Sequence, residues 1–148
     1  MPLPGSVRFL LTSILPQRKQ PDPRFALAEA DKHLDGRTVV FVGGTDGMGR
    51  VAVEMLHQMG ASIVLLGRNR EKAQVLLREL AQSGGPGTVQ FELCDLVSME
   101  SVRQAAARVL EENPRIDVLV NCAGANFQER VVTDEGFERN WAVNYPVS

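Results

Sequence analysis

The sequence predicts an α/β fold built on a doubly wound parallel sheet, and three observations support this prediction. Short apolar runs alternate with segments whose apolar residues recur at helical spacing, which is the pattern of βαβ units. A glycine-rich turn at residues 43–49 joins the first apolar run to the first helical segment. The second run, residues 62–66, is apolar almost throughout, as expected of a parallel strand covered on both faces.

Four strands are predicted, at residues 38–42, 62–66, 88–93 and 116–120. Because crossovers between parallel strands are right-handed, the simplest order of these strands in the sheet is 3-2-1-4. The chain then reverses direction between strands 1 and 4, and the ligand crevice of such a sheet lies at their carboxyl ends. The sheet is expected to be truncated after about four strands.

Helices are predicted between the strands and after the last one, because apolar residues recur one helical turn apart. The first helix follows the glycine turn and ends at Gly60, the second covers about residues 70–82, and the third spans residues 99–112 after a Ser98 cap. A last helix is expected at roughly residues 134–143. The apolar positions of the first three helices are, in order, Val51, Met55, Leu56 and Met59; Ala73, Leu76, Leu77 and Leu80; and Val102, Ala105, Ala106, Val109 and Leu110.

Composition restricts the class of protein. A length of 148 residues with 44% hydrophobic content is typical of one globular domain, and a net charge of -2 provides no broad attraction for nucleic acid. Cys94 and Cys122 have neither a Cys-x-x-Cys partner nor a nearby histidine pair, so no metal site is predicted. This cysteine usage indicates a reducing compartment, and the expected localisation is cytoplasmic.

Residues 1–35 form a predicted N-terminal extension, and residues 36–148 form the predicted globular domain. No Asp or Glu precedes Asp22, and the apolar residues of segment 7–15 recur at helical spacing. We expect a short amphipathic helix there, followed by a proline-rich linker at residues 16–23. The helix is too short to span a bilayer. It either packs against the domain or stays flexible, contacts a membrane surface, or belongs to an organelle transit peptide.

The glycine-rich turn carries the strongest functional signal. Gly43, Gly47 and Gly49 lie between a strand and a helix, where bare backbone N–H groups can approach the phosphates of a ligand. The turn lacks the Gly-Lys-Ser/Thr ending of a P-loop. A nucleotide is therefore the expected ligand, and the alternative is a plain glycine-rich turn.

These glycines resemble the first motif of the short-chain dehydrogenase/reductase family, Thr-Gly-x-x-x-Gly-x-Gly. Val42 stands where the family usually has threonine. The resemblance covers about residues 36–144 and implies a Rossmann-like fold that binds a nicotinamide dinucleotide. It also implies an oxidoreductase that transfers hydride between NADP(H) and an alcohol or carbonyl substrate. The last segment is most similar to the retinol-dehydrogenase branch.

A second motif supports the resemblance. The family's Asn-Asn-Ala-Gly is present as Asn121, Cys122, Ala123 and Gly124, directly after the fourth strand. Cys122 departs from the motif, and we interpret it as a small buried residue rather than a redox group.

The choice between NAD and NADP depends on the end of the second strand, where NAD-binding proteins have an acidic residue. This chain has Gly67 followed by Arg68, whose guanidinium suits a 2′-phosphate, so NADP(H) is predicted over NAD(H). Arg70 and Arg50 are further candidates for that contact. By the resemblance, Asp95 bonds the adenine amino group, although it could instead only end a strand. The predicted cofactor-binding residues are Gly43, Thr45, Asp46, Gly47, Met48, Gly49, Arg68, Asn69, Asp95, Leu96, Asn121, Ala123 and Gly124.

The resemblance provides only one candidate for catalysis. Asn144 matches the asparagine that holds a proton-relay water in the family, and the alternative is a helical asparagine satisfied by backbone. The family's serine and Tyr-x-x-x-Lys are not matched, because Tyr145 is the only tyrosine and no lysine follows Lys72. We expect the chain alone to be inactive. The rival hypothesis is a non-catalytic dinucleotide-binding or protein-interaction module that self-associates through the open edge of the fourth strand.

Overall fold

The computed structural model describes residue 28 and residues 32–145. The amphipathic segment and the proline-rich linker predicted for the N-terminal extension lie outside these residues.

Four parallel strands form one sheet in the order β3-β2-β1-β4, which confirms the predicted topology. The strands are β1 (Thr38–Val42), β2 (Ser62–Gly67), β3 (Thr88–Leu93) and β4 (Val118–Asn121). The strand β4 begins two residues later than predicted, and the Asp117 side chain just before it accepts a hydrogen bond of 2.9 Å from the Thr38 N–H. The carboxyl ends of all four strands lie along the same edge of the sheet.

Four helices accompany the sheet: α1 (Gly47–Gln58), α2 (Arg70–Ser83), α3 (Met99–Glu112) and α4 (Arg139–Asn144). Asp46, Asn69, Ser98 and Glu138 are the N-caps, and each side chain accepts a hydrogen bond from the first turn. The Ser98 cap and the end of α3 at Glu112 agree with the sequence prediction.

The helices cover both faces of the sheet, so the core has two parts. On one face, Phe41, Ile63 and Leu65 pack with Val53 of α1 and Leu76 of α2. Helix α3 covers the other face, where Val40, Val64 and Leu66 pack with Ala105 and Val109. Alternate residues of each strand therefore face opposite helical layers, which explains why β2 is apolar throughout.

The buried residues of α1 differ from the apolar residues that its sequence pattern singles out. Gly49, Val53 and His57 face the core, whereas Val51 and Met55 are 54% and 59% exposed. A Cβ on Gly49 would collide with the Gly43 carbonyl oxygen, so this close contact fixes which side of the helix meets the sheet.

Two further helix predictions need correction. In α3, Ala105 and Val109 are buried as expected, but Leu110 is 64% exposed and Ala106 also faces solvent. The last helix does not begin near residue 134, because Gly136 adopts a φ of +88° and Val132 bridges to Glu138 in an antiparallel turn. Only residues after the Glu138 cap are helical.

Candidate functional site

The strand register places three loops around one groove at the carboxyl edge of the sheet. Val42 pairs with both Leu66 and Asn121, and Gly67 pairs with Leu93, so the strands end side by side. The loops that follow enclose a groove of about 540 Å³. This is the crevice expected where the strand order of a doubly wound sheet reverses.

The glycine turn forms one wall of the groove, and its glycines have different roles. Gly43 has a φ of +87°, and a Cβ there would come within 2.6 Å of the Ala123 backbone. Gly43 therefore lets the loops after β1 and β4 touch. Gly47 has a φ of +54° and open space around it, so bare backbone faces the groove where α1 begins. This opening fits the approach of a phosphate group to the helix N-terminus.

Asp46 connects the glycine turn to α2. One carboxylate oxygen accepts a hydrogen bond of 2.8 Å from the Gly47 N–H, and the other is bonded by Lys72. The Lys72 ammonium, together with the Gly47 N–H, holds the pKa of Asp46 below its ordinary value. Both charged groups line the groove.

Arg68 lies at the end of β2 and lines the same groove. Its side chain is exposed and has no hydrogen bond or ion pair within the part of the chain that the structure describes. Asn69 beside it is the N-cap of α2 and accepts a bond of 2.8 Å from the Lys72 N–H. Arg68 is therefore free to meet an anion.

The other two arginine candidates lie elsewhere. Arg50 bonds Glu54 at 2.9 Å and Glu79 at 2.5 Å and lines a different groove, outside α1 and α2, so its contact with a 2′-phosphate stays a prediction that this conformation does not support. Arg70 lies over the Phe91 ring at 6.0 Å and does not line the groove.

Asp95 and Leu96 line the groove from the loop after β3. Oδ1 of Asp95 accepts a bond of 3.0 Å from the Val97 N–H, so one oxygen has the turn-forming role that the sequence left open. Adjacent Cys94 is buried, and this burial raises the pKa of its thiol.

The loop after β4 forms the opposite wall. Ala123 and Gly124 line the groove, while the Asn121 side chain turns back to accept a bond of 3.3 Å from the Ala123 N–H. Cys122 lines the groove too, but it is exposed, so its interpretation as a small buried residue is wrong.

Two asparagines of α4 hold the next part of this loop. Asn144 accepts a bond of 3.0 Å from the Ala125 N–H and donates to the Ala125 carbonyl at 2.7 Å. Asn140 makes the same pair of bonds with Phe127, at 2.7 and 3.1 Å. The Asn144 amide also donates to the Asn140 carbonyl at 2.8 Å, so backbone groups engage both of its N–H bonds.

All predicted cofactor-binding residues except Asn121 line this groove. The sequence prediction did not include Lys72, Phe127 and Val143, which line it as well. A lysine four residues beyond Arg68 was a detectable signal, whereas Phe127 and Val143 carry no motif.

A second groove, of about 650 Å³, lies outside α1 and α2 and is lined by Val51, Met55 and the ion pairs of Arg50. It contains none of the motif residues. Among the described residues, no group of three His, Cys, Asp or Glu side chains could hold a metal ion. None of the described helices has the length and apolar character needed to cross a membrane.

Known proteins are similar to this chain in sequence. The sequence model of the short chain dehydrogenase family matches residues 37–146. Retinol dehydrogenase 14 of Mus musculus is 37% identical over 123 residues, covering 76% of this chain and 36% of that protein. Retinol dehydrogenase 13 of Homo sapiens is 31% identical over 112 residues, covering 76% of this chain and 34% of that protein. The chain thus spans about a third of the length of these curated relatives.

Two solved structures show the same architecture. A metagenomic short-chain oxidoreductase in complex with NADP has a TM-score of 0.59 and 34% identity, covering 64% of this chain and 42% of that chain. L-sorbose reductase from Gluconobacter frateurii, complexed with NADPH and L-sorbose, has a TM-score of 0.65 and 26% identity, covering 78% and 44%. Together with the family match over residues 37–146, these relatives show that the chain belongs to the short-chain dehydrogenase family and is similar to the retinol dehydrogenases.

Proposed function

We propose that this chain is the cofactor-binding portion of an oxidoreductase that uses NADP(H) in preference to NAD(H). The observation that carries the proposal is Arg68, whose guanidinium has no partner among the described residues and lines the same groove as the open glycine turn. No acidic side chain occupies the position after Gly67, where a carboxylate would repel a 2′-phosphate.

Each part of the dinucleotide has a proposed partner in the groove. The backbone at Gly47 and the start of α1 suit the diphosphate, because helix N-termini present free N–H groups and a positive dipole. Arg68 suits the 2′-phosphate, since a guanidinium forms charge-assisted and often bidentate bonds with phosphate. Oδ2 of Asp95 accepts no hydrogen bond from the described residues, and this oxygen is the proposed acceptor for the adenine amino group.

The bound cofactor would exchange a hydride with an alcohol or carbonyl substrate. Two structural neighbours were solved with NADP or NADPH, which supports this class of cofactor. Asn144 remains the proposed relay residue, with Oδ1 still able to accept a second hydrogen bond. The chain does not contain a match to the family's serine and Tyr-x-x-x-Lys, so we propose that it is inactive alone. The proposed localisation is cytoplasmic, with attachment to a membrane through residues 7–15 as the alternative.

Replacing Arg68 by Asp tests the cofactor preference. Charge-assisted bonds contribute about 1.5–3 kcal/mol, so Arg68→Asp should weaken NADPH binding by about tenfold to a hundredfold. NADH binding should change by much less. Fluorescence titration of both cofactors measures this, with Arg103→Asp on α3 as a control because Arg103 is 73% exposed and lies outside the groove. Equal losses for NADPH and NADH would contradict the assignment of Arg68.

A second function is supported by the edge of the sheet. No strand of the described region pairs with the outer side of β4, where Leu119 is 70% exposed. A non-catalytic dinucleotide-binding module that docks on another protein would use this edge. Enzymatic turnover distinguishes the two proposals. A longer chain that adds the family's serine and Tyr-x-x-x-Lys should oxidise alcohols or reduce carbonyls with NADP(H), whereas a non-catalytic binding module should show no turnover.

A further inference from the structure

We infer that Asp46 and Lys72 form a counterion pair that sets how strongly the groove prefers a 2′-phosphate. In this inference, which rests on the proposed function, Lys72 is a second cation for the phosphate and Asp46 competes with the phosphate for it. Neither role belongs to the motifs that led to the dinucleotide assignment.

The position of Lys72 supports this role. It lies in the first turn of α2, where its N–H is bonded by the Asn69 cap at 2.8 Å, and Arg68 directly precedes that cap. Arg68 and Lys72 therefore reach the groove from consecutive parts of one strand-to-helix junction, and both line it. The N-terminus of α2 adds positive potential at the same place.

Asp46 opposes anion binding unless its charge is balanced. Its carboxylate lies at the N-terminus of α1, beside the open space at Gly47 where the ligand phosphates are proposed to approach. The Asp46 carboxylate and the ligand phosphates beside it would repel each other. The Lys72 ammonium balances the charge of the carboxylate by donating to one oxygen of Asp46. The Gly47 N–H donates to the other oxygen and fixes its position.

The pair can exchange partners. The side chains of Lys72 and Asp46 are 53% and 72% exposed, and exposed ion pairs are weak. A phosphomonoester carries about −1.5 to −2 charges at neutral pH, more than a carboxylate, and has three acceptor oxygens. The 2′-phosphate should therefore draw Lys72 away from Asp46, while NADH, which lacks that group, leaves the pair intact.

The test measures binding of 2′,5′-ADP and 5′-AMP to the 148-residue chain by calorimetry, because these ligands differ only in the 2′-phosphate. Lys72→Met should weaken 2′,5′-ADP about tenfold more than 5′-AMP, because only 2′,5′-ADP loses a charge-assisted bond, whereas the uncompensated Asp46 acts on the 5′-phosphate that both ligands share. Lys72→Arg should retain most of the preference. Arg78→Met removes a cation from the same helix outside the groove and serves as the matched control.

Asp46→Asn tests the competition. Asn keeps the N-cap acceptor for Gly47 but removes the charge, so α1 should persist by circular dichroism. This variant should tighten binding of 2′,5′-ADP more than binding of 5′-AMP, and the difference should disappear when Lys72→Met is added.

Three outcomes separate the claims. If the unmodified chain binds neither nucleotide, the proposed function fails and this inference fails with it. If the chain binds but Lys72→Met changes nothing, or weakens both ligands equally, only the inference about Lys72 is overturned. If Asp46→Asn tightens both ligands equally in the presence of Lys72, Asp46 repels a shared phosphate and does not compete for Lys72.

Discussion

Gly47 shows how one residue makes the groove accessible. Its φ of +54° disfavours any side chain, and nothing lies within 4 Å of the place that a Cβ would occupy. Gly47→Val would fill that space and strain the turn at the start of α1. We expect dinucleotide binding to fall below detection while the helix content stays nearly unchanged, as measured by titration and circular dichroism.

The control for Gly47 is Gly84, which has a φ of +71° and is equally unobstructed but caps the C-terminal end of a different helix, α2. Gly84→Val should cost similar backbone strain, about 1 kcal/mol, without affecting binding. Unchanged affinity in Gly47→Val, or equal loss in both variants, would contradict the placement of the ligand at Gly47.

At this scale, the sequence predicted the residues that belong to motifs and missed those that act through distant contacts. Gly43, Gly47 and Arg68 were identified because strand, turn and helix signals lie next to one another in the chain. Lys72 reaches Asp46 across 26 positions of sequence, and no periodicity reports such a contact. The exposure of Cys122 was also missed, since it depends on how two loops meet.

Among the elements, α1 is a helix whose buried face cannot be predicted from the spacing of its apolar residues. Apolar spacing favoured Val51 and Met55 as contacts, but the buried stripe is Gly49, Val53 and His57. The rotation of the helix is fixed by the contact of Gly49 with the Gly43 carbonyl, and a glycine and a histidine contribute no hydrophobic signal. The bounds of strands and long helices, by contrast, follow from local sequence and were predicted within about two residues.

The spacing of Asn140 and Asn144 lets α4 hold an extended loop. Four residues of helix rise about 6 Å, close to the span of about 6.7 Å between alternate residues of extended chain. The two side-chain amides can therefore pair with the backbone of Ala125 and Phe127, as a neighbouring strand would.

Asn140→Ala should loosen this loop. It leaves the N–H and carbonyl of Phe127 without their partner at a half-buried position. We therefore expect the free energy of unfolding to fall by about 1–3 kcal/mol. Urea denaturation measures the change. Gln104→Ala, which removes one exposed bond to Glu100, should stay within about 0.5 kcal/mol. A loss of stability no greater than that of the control would show that the loop keeps its conformation without the Asn140 side chain.

Asp117 joins β1 to the segment before β4, at the edge of the sheet opposite the groove. The hydrogen bond from the Thr38 N–H, with the Arg37 guanidinium next in importance, holds the pKa of Asp117 below its ordinary value of 3.8. A lowered pKa means that the folded state favours the ionised carboxylate. Its contribution is present above that ordinary value and is lost as the pH falls through the lower value of the folded protein.

Urea unfolding between pH 6 and pH 3 should show this dependence. The free energy of unfolding should fall toward the acidic end, and Asp117→Asn should flatten the fall while lowering stability at pH 6. Glu111→Gln, which removes an exposed carboxylate without an ion pair in the described region, is the control. An unaltered slope in Asp117→Asn would assign the acid sensitivity to other carboxylates.

For the molecule as a whole, the faces of the sheet are covered but its edge is not. Helices α1 and α2 protect one face and α3 protects the other, so the central strands are almost completely buried. Val40 and Leu119 pair in register and point to the α3 face, yet Leu119 remains 70% exposed because no described strand lies beyond β4. At this edge, the exposed apolar side chain of Leu119 lies on a strand whose outer backbone groups pair with no described strand.

We therefore expect the 148-residue chain to self-associate through β4 as its concentration rises. Leu119→Lys should reduce association, because charged side chains on an edge strand oppose pairing with another chain. Sedimentation velocity over a range of concentrations measures this, with Val75→Lys on α2, where Val75 is 42% exposed, as the matched control. Since Leu119 lies outside the groove, NADPH affinity should not change in the monomer. Association that both variants reduce equally would implicate general apolar exposure, and a wild-type chain that stays monomeric throughout would remove the edge as an interaction surface.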